Sequence, residues 1–136
     1  MRQALAIGLL CTGLAGCAAP MFEPPAPPGN LTVDREACNR AYPPRLGDYL
    51  PHAQCVNEAV ERDAIPFAHY PDLVRLQEQL RVKYSALIDQ RALSPHDGER
   101  KMVDADEQVN AAIHDRDTGR REAADHRVDR LHAMLE

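Results

Sequence analysis

The side chains of this chain that could carry chemistry are four cysteines, six histidines and two serines, Ser85 and Ser94. Neither serine lies in a G-x-S-x-G turn, and no glycine-rich run is present to cradle a phosphate. Glu122 and His126 are spaced i, i+4, and Asp129 and His132 follow them. His126 and His132 nonetheless fall on different faces of a helix, and neither H-x-x-x-H nor H-E-x-x-H occurs. Asp115-Arg116-Asp117-Thr118-Gly119 has the acidic opening of a calcium loop, but its glycine stands one place early and no Glu closes the loop. The reading is that the chain is not an enzyme, with no catalytic residue, no metal and no cofactor.

The cysteines carry the more specific message. Met1-Arg2-Gln3 gives a short positive start, and Ala4 to Leu14 is an apolar run of eleven residues, well short of the roughly 20 that span a bilayer. This pattern is a signal peptide. It ends in Leu14-Ala15-Gly16-Cys17, which resembles the lipobox of bacterial lipoproteins at all four positions. The resemblance implies cleavage between Gly16 and Cys17 and lipid attachment through the Cys17 thiol, with further acylation, for example by palmitate, of the new amino terminus. Each buried CH2 contributes about 0.8 kcal/mol, so two or three acyl chains anchor stably where one does not. Ala18 would follow the lipidated cysteine. By the same resemblance, the lack of Asp there favours the outer membrane, facing the periplasm, over the inner one, under a rule that varies between lineages. Ala18 to Asn30 holds five prolines in thirteen residues. It reads as an extended tether of up to about 40 Å. The expected organisation is a signal peptide over 1–16, a lipidated cysteine and Pro-rich tether over 17–30, and a helical domain over 31–136.

Cys11 leaves with the signal peptide, so an exported chain retains Cys38 and Cys55 as a candidate disulfide. A metal site is the rival, but the pair lacks C-x-x-C spacing. A bridge would close a loop containing Tyr42-Pro43-Pro44, Gly47 and Tyr49, stabilising the fold by roughly 3 kcal/mol.

Elements to position these residues follow from periodicity. A short helix is expected over 31–42 with Thr32 or Asp34 as its cap, and a second over about 51–62 with Ala53, Val56, Ala59 and Val60 on one face. Pro66 and Pro71 break the chain next. Leu73, Leu76, Leu80, Tyr84, Leu87 and Ile88 then recur every three to four residues, predicting a helix over about 72–93. Ser94-Pro95-His96-Asp97 caps another. Its apolar period runs through Met102, Ala105, Val109, Ala112, Val128, Leu131 and Leu135, predicting one helix over 95–134 weakened near Gly119. That helix would be about 60 Å long against about 33 Å for its partner. Its surplus stripe, with Val109, Val128, Leu131 and Leu135 as the interaction candidates, either packs back on the N-terminal helices or is covered by another molecule. The fold expected is all-α: a small bundle built on a long helical hairpin, with one disulfide-clamped loop near the N-terminus. The mature part is similar to small, uncharacterised helical exported proteins of proteobacteria, a resemblance that implies fold and compartment and no activity.

With 21 acidic and 16 basic residues, a net charge of −5 and a pI near 5.6, no basic patch dominates, which argues against binding to nucleic acid. The function expected is that of a lipid-anchored cell-envelope protein, a structural or protein-interaction module that joins the membrane through Cys17 and pairs with itself or an envelope protein. The alternative is a periplasmic metal or small-ligand binding lipoprotein. Cys17→Ser is expected to leave an uncut, lipid-free precursor in cells. Normal processing of that variant, read by mass spectrometry, would refute the lipobox.

Overall fold

The computed structural model describes residues 29–136, five α-helices and one short 3-10 turn: α1 (Leu31–Ala41), α2 (Tyr49–Asp63), the turn Ile65–Phe67, α3 (Pro71–Asp89), α4 (Pro95–Asp117) and α5 (Arg121–Leu135). The fold is a small all-α bundle carrying a Cys38–Cys55 disulfide. The expected cleavage site, Cys17 and nearly all of the tether lie outside the described residues.

Consecutive helices run antiparallel, as the cross-links between them show. Asp34 faces Arg62, Cys38 faces Cys55 and Asn39 faces His52; Asp72 faces Arg116 and Gln77 faces Asp106; Asp115 faces Arg127. The helices are layered in chain order, with α1 on α2, α2 on α3, and α3, α4 and α5 packed together. Leu73, Leu76, Leu80 and Tyr84 of α3, Ala105, Val109 and Ala112 of α4, and Leu131 of α5 are buried in one core. The α1–α2 layer has a smaller one, Cys38, Val56 and Val60, with Leu31, Ile65 and Val74 half-buried against it. A cluster of that size offsets little of the entropy of ordering two helices, so polar and covalent ties have to contribute.

The caps explain where each helix starts. Asn30, rather than Thr32 or Asp34, caps α1: its Oδ1 accepts from the Thr32 and Val33 N–H groups. Ser94 caps α4, accepting from the Asp97 N–H at 3.0 Å while its hydroxyl donates to the Asp97 carboxylate at 2.7 Å. Helix α2 starts two residues before Pro51, which is tolerated in a first turn because its missing N–H would be unpaired there anyway. Its own cap residue, Asp48, makes no side-chain capping bond. Instead Asp89, at the last turn of α3, accepts from the N–H groups of Gly47 at 2.7 Å and Leu50 at 2.8 Å, with Tyr49 at 3.4 Å. A carboxylate at a helix N-terminus is favourable to the macrodipole as well as to the unpaired donors.

The single helix expected over 95–134 is corrected to two, α4 and α5. Gly119 has φ +74°, and the chain closes a Schellman turn there, with Arg120 N–H donating to the Asp115 carbonyl at 2.8 Å and Gly119 N–H to that of Arg116 at 3.1 Å. The Asp115 carboxylate, almost wholly buried, fixes the turn by accepting from Arg127 and Arg120, each at 2.7 Å. Helix α5 therefore returns along α4, and Lys83 of α3 donates to the Met134 carbonyl at its far end.

Removing the capping carboxylate with Asp89→Ala leaves three N–H groups of the α2 start without their partner. The expected loss is about 1–2 kcal/mol of unfolding free energy, read by urea denaturation at neutral pH.

Candidate functional site

The loop joining α1 to α2 is shaped by three local constraints. Tyr42 precedes Pro43-Pro44, which pushes it out of the helical region and ends α1. Gly47 takes φ +95°, a value costly for any residue with a side chain. Arg45 pairs with Asp48 across the bend. The result is a cleft of about 390 Å3 lined by Tyr42, Pro43, Pro44, Asp48, Tyr49, His52 and Asn39. A second hollow of about 410 Å3 shares Pro44 and Tyr49 with it and runs between α3 and α4 past Tyr84, Ile88 and Met102. The two adjoin at Pro44 and Tyr49, at the end of the bundle where α1, α3 and α5 finish, with Tyr42, Tyr49 and two consecutive prolines lining the first and the nearly buried Tyr84 at the floor of the second.

The polar groups of this groove are placed by the disulfide. Cys38 and Cys55 stand 5.8 Å apart at Cα, which sets Asn39 one residue on from the bridge and His52 three residues before it. His52 Nε2 donates to Asn39 Oδ1 at 2.7 Å. Burial, and then the Arg81 charge, holds His52 below its ordinary value. The groove thus offers aromatic faces, rigid proline rings and a few fixed hydrogen-bonding groups, the composition of a recognition surface.

Another depression of about 420 Å3 lies between α2 and α3, lined by Asn57, Glu61, Arg75, Glu78, Gln79 and Val82. Glu61 accepts from Arg75 Nε at 3.1 Å and from its Nη2 at 3.4 Å. Glu78 is only 6% exposed, and its Oε1 has no hydrogen-bond partner among the described residues. Burial first, and then the neighbouring Glu61 charge, pushes the Glu78 carboxyl up. That oxygen is buried beneath the surface of the depression, so a molecule there could not meet it. The surface hollow around Val103 draws all its residues, His96 to Glu107, from α4 alone, with no second wall among the described residues.

Of the residues singled out in the sequence, Cys38 and Cys55 are bonded to each other as expected. The interaction stripe is not a surface. Val109 and Leu131 are 4% and 0% exposed inside the core, and Val128 and Leu135 pack against it, because the turn at Gly119 folds α5 onto its own molecule. Glu122, His126, Asp129 and His132 are exposed along α5, and among the described residues no group of three or more His, Cys, Asp or Glu is placed to hold a metal ion. Asp117 accepts from the Tyr70 hydroxyl at 2.8 Å, so the apparent calcium loop is spent on structural contacts. The groove itself was missed, although Tyr42-Pro43-Pro44 and Tyr49 inside the cysteine loop gave a signal: rigid, amphipathic side chains concentrated in a covalently closed segment.

Comparisons with known proteins give no matching family, no matching curated protein and no matching solved structure.

Glu78 yields a prediction with a definite sign. A carboxyl whose folded pKa is raised contributes its stability below the ordinary unfolded value and loses it as pH rises through the folded one. Glu78→Gln should therefore raise the melting temperature at pH 7, and the gain should fade as pH falls towards 4.5. A gain that is equal at pH 4 and pH 7 would contradict the burial argument.

Proposed function

We propose that the chain is a lipid-anchored protein of the cell envelope, held through Cys17 on the periplasmic face of the outer membrane, and that it works without catalysis as a protein-interaction module. Its recognition surface is the Tyr42–Tyr49 groove, and the occupant is an extended segment of an envelope protein, rich in proline or aliphatic side chains. Extended proline-containing segments dock into aromatic-lined grooves because they bring little conformational entropy to lose.

The polarity of the bundle carries this reading. The chain enters the domain at Gly29 and Asn30, at the start of α1, and the groove lies at the opposite end, where α1 finishes and α2 begins. A lipid attached before the tether would hold the first end nearest the bilayer and present the groove away from it. The proposed partner surface is no longer the C-terminal stripe, which is occupied by the molecule's own core. The small-ligand alternative uses the same groove, whose volume lies in the range of small-molecule sites.

Crosslinking in living cells separates the two. A photoreactive side chain at Leu46, which is 52% exposed on the groove loop, is expected to give one discrete protein adduct. That adduct should disappear in Tyr49→Ala and be absent when the probe sits at Val103. Adducts that survive Tyr49→Ala, or none at all, would overturn the protein-docking reading and favour a small ligand.

A further inference from the structure

The end of the bundle where the chain enters has a feature that the groove does not use. Phe67, in the short turn between α2 and α3, is 70% exposed, the highest value among the large exposed hydrophobics of the described residues, and Val33 in the first turn of α1 is 52% exposed. Both lie at the end defined by the starts of α1, α3 and α5 and the finishes of α2 and α4. The incoming chain is pinned there. Gly29 packs directly against the Asp63 carboxylate, leaving no room there for a Cβ. Asp63 and Asp34 are in turn bridged by Arg62. The tether therefore leaves the domain from the same end that displays Phe67.

We propose that this end rests on a phospholipid surface, with Phe67 as the side chain that enters the interface. The inference rests on the lipid-anchor reading above and adds to it an orientation and a contact. Several charges at this end are held in ion bridges: Arg62 with Asp34 and Asp63, Arg116 with Asp72 at 2.7 Å, and Asp115 with Arg120 and Arg127, each at 2.7 Å. For these bridged groups, bringing the end to the headgroups strips water from ion pairs rather than from lone charges, the less costly case. Arg121 makes no ion pair among the described residues. It lines, with Tyr70, Arg116, Ala124 and Asp125, an open cleft of about 330 Å3 at the same end, within reach of lipid phosphates. One phenylalanine would not hold a free protein on a membrane. A chain joined to the bilayer through a tether as short as residues 17 to 28 meets that surface at high effective concentration, so a weak contact is enough to orient it.

The chain has no tryptophan, which gives a clean optical test. Phe67→Trp, Leu46→Trp and Val103→Trp are made singly in the full-length chain, extracted from cell membranes and reconstituted into vesicles of phosphatidylethanolamine and phosphatidylglycerol with brominated acyl chains. Interfacial apolar groups sit about 5–10 Å into the headgroup and acyl boundary, so emission from Phe67→Trp should shift to shorter wavelength and fall by roughly half. Leu46→Trp and Val103→Trp should not respond. Quenching at Leu46 or Val103 in place of Phe67, or at none of the three, overturns the proposed orientation while leaving the anchor intact. A chain whose mass shows no acyl groups and that does not sediment with the vesicles overturns the anchor reading and this inference together.

Discussion

Asp89 belongs to α3, yet its carboxylate closes the start of α2, and the shape of the groove end follows from that contact. Without it the first N–H groups of α2 would face the loop with no partner, since Asp48 makes no side-chain capping bond. With it, Gly47, Tyr49 and Leu50 are held at fixed distances from the C-terminal end of α3. Tyr49 thereby joins Tyr84, Ile88 and Met102 along one surface. The disulfide restrains the same loop from the other side, tying α1 to α2 one residue from Asn39. One bond is covalent and the other is a charge-assisted cap, and the groove lies between them.

The opposite end of the α1–α2 layer is held by charge. Arg62 reaches Asp34 and Asp63, and Gly29 packs against the Asp63 carboxylate. The Arg62 interaction, first among several causes, holds the Asp63 carboxyl below the usual carboxylate range. This division of labour answers the poverty of the second core: Cys38, Val56 and Val60 bury too little to fix two helices against α3, so each end is given its own polar clasp. The middle of the seam is the weak point, where Glu78 is buried with an oxygen unmatched. It lies away from both the groove and Phe67, consistent with a structural cost carried where neither surface would feel it.

The helices were legible because their apolar positions repeat at the helical period over long stretches; Leu73, Leu76, Leu80, Tyr84 and Ile88 are all buried as that pattern requires. The disulfide was legible because reading the segment up to Cys17 as a lipoprotein leader leaves only two cysteines to pair. The Asp89 cap was not, since its partners are about forty positions away and nothing local marks an aspartate at a helix C-terminus as a capping group. Gly119 was visible as a weakness, but a glycine inside a periodic pattern can be a tolerated cost or a stop. What decides is whether the turn's carbonyls and the neighbouring Asp115 find partners beyond it, and Arg120 and Arg127 supply them.

Helix lengths then account for the fate of the C-terminal stripe. At about 1.5 Å per residue, α3 with 19 residues is close to 28 Å long, α4 with 23 close to 34 Å, and α5 with 15 close to 22 Å. An unbroken helix would have carried Val128 and Leu131 well past the end of α3. Once the chain reverses at Gly119, α5 fits within the length of α4, and Leu131 drops between α3 and α4 with no exposure at all. The apolar residues that looked surplus are what make the α3–α4 hairpin a three-helix core. The exposed features then lie at the two ends of the bundle: one carries Phe67 beside the point where the chain enters, and the other carries the tyrosine and proline groove.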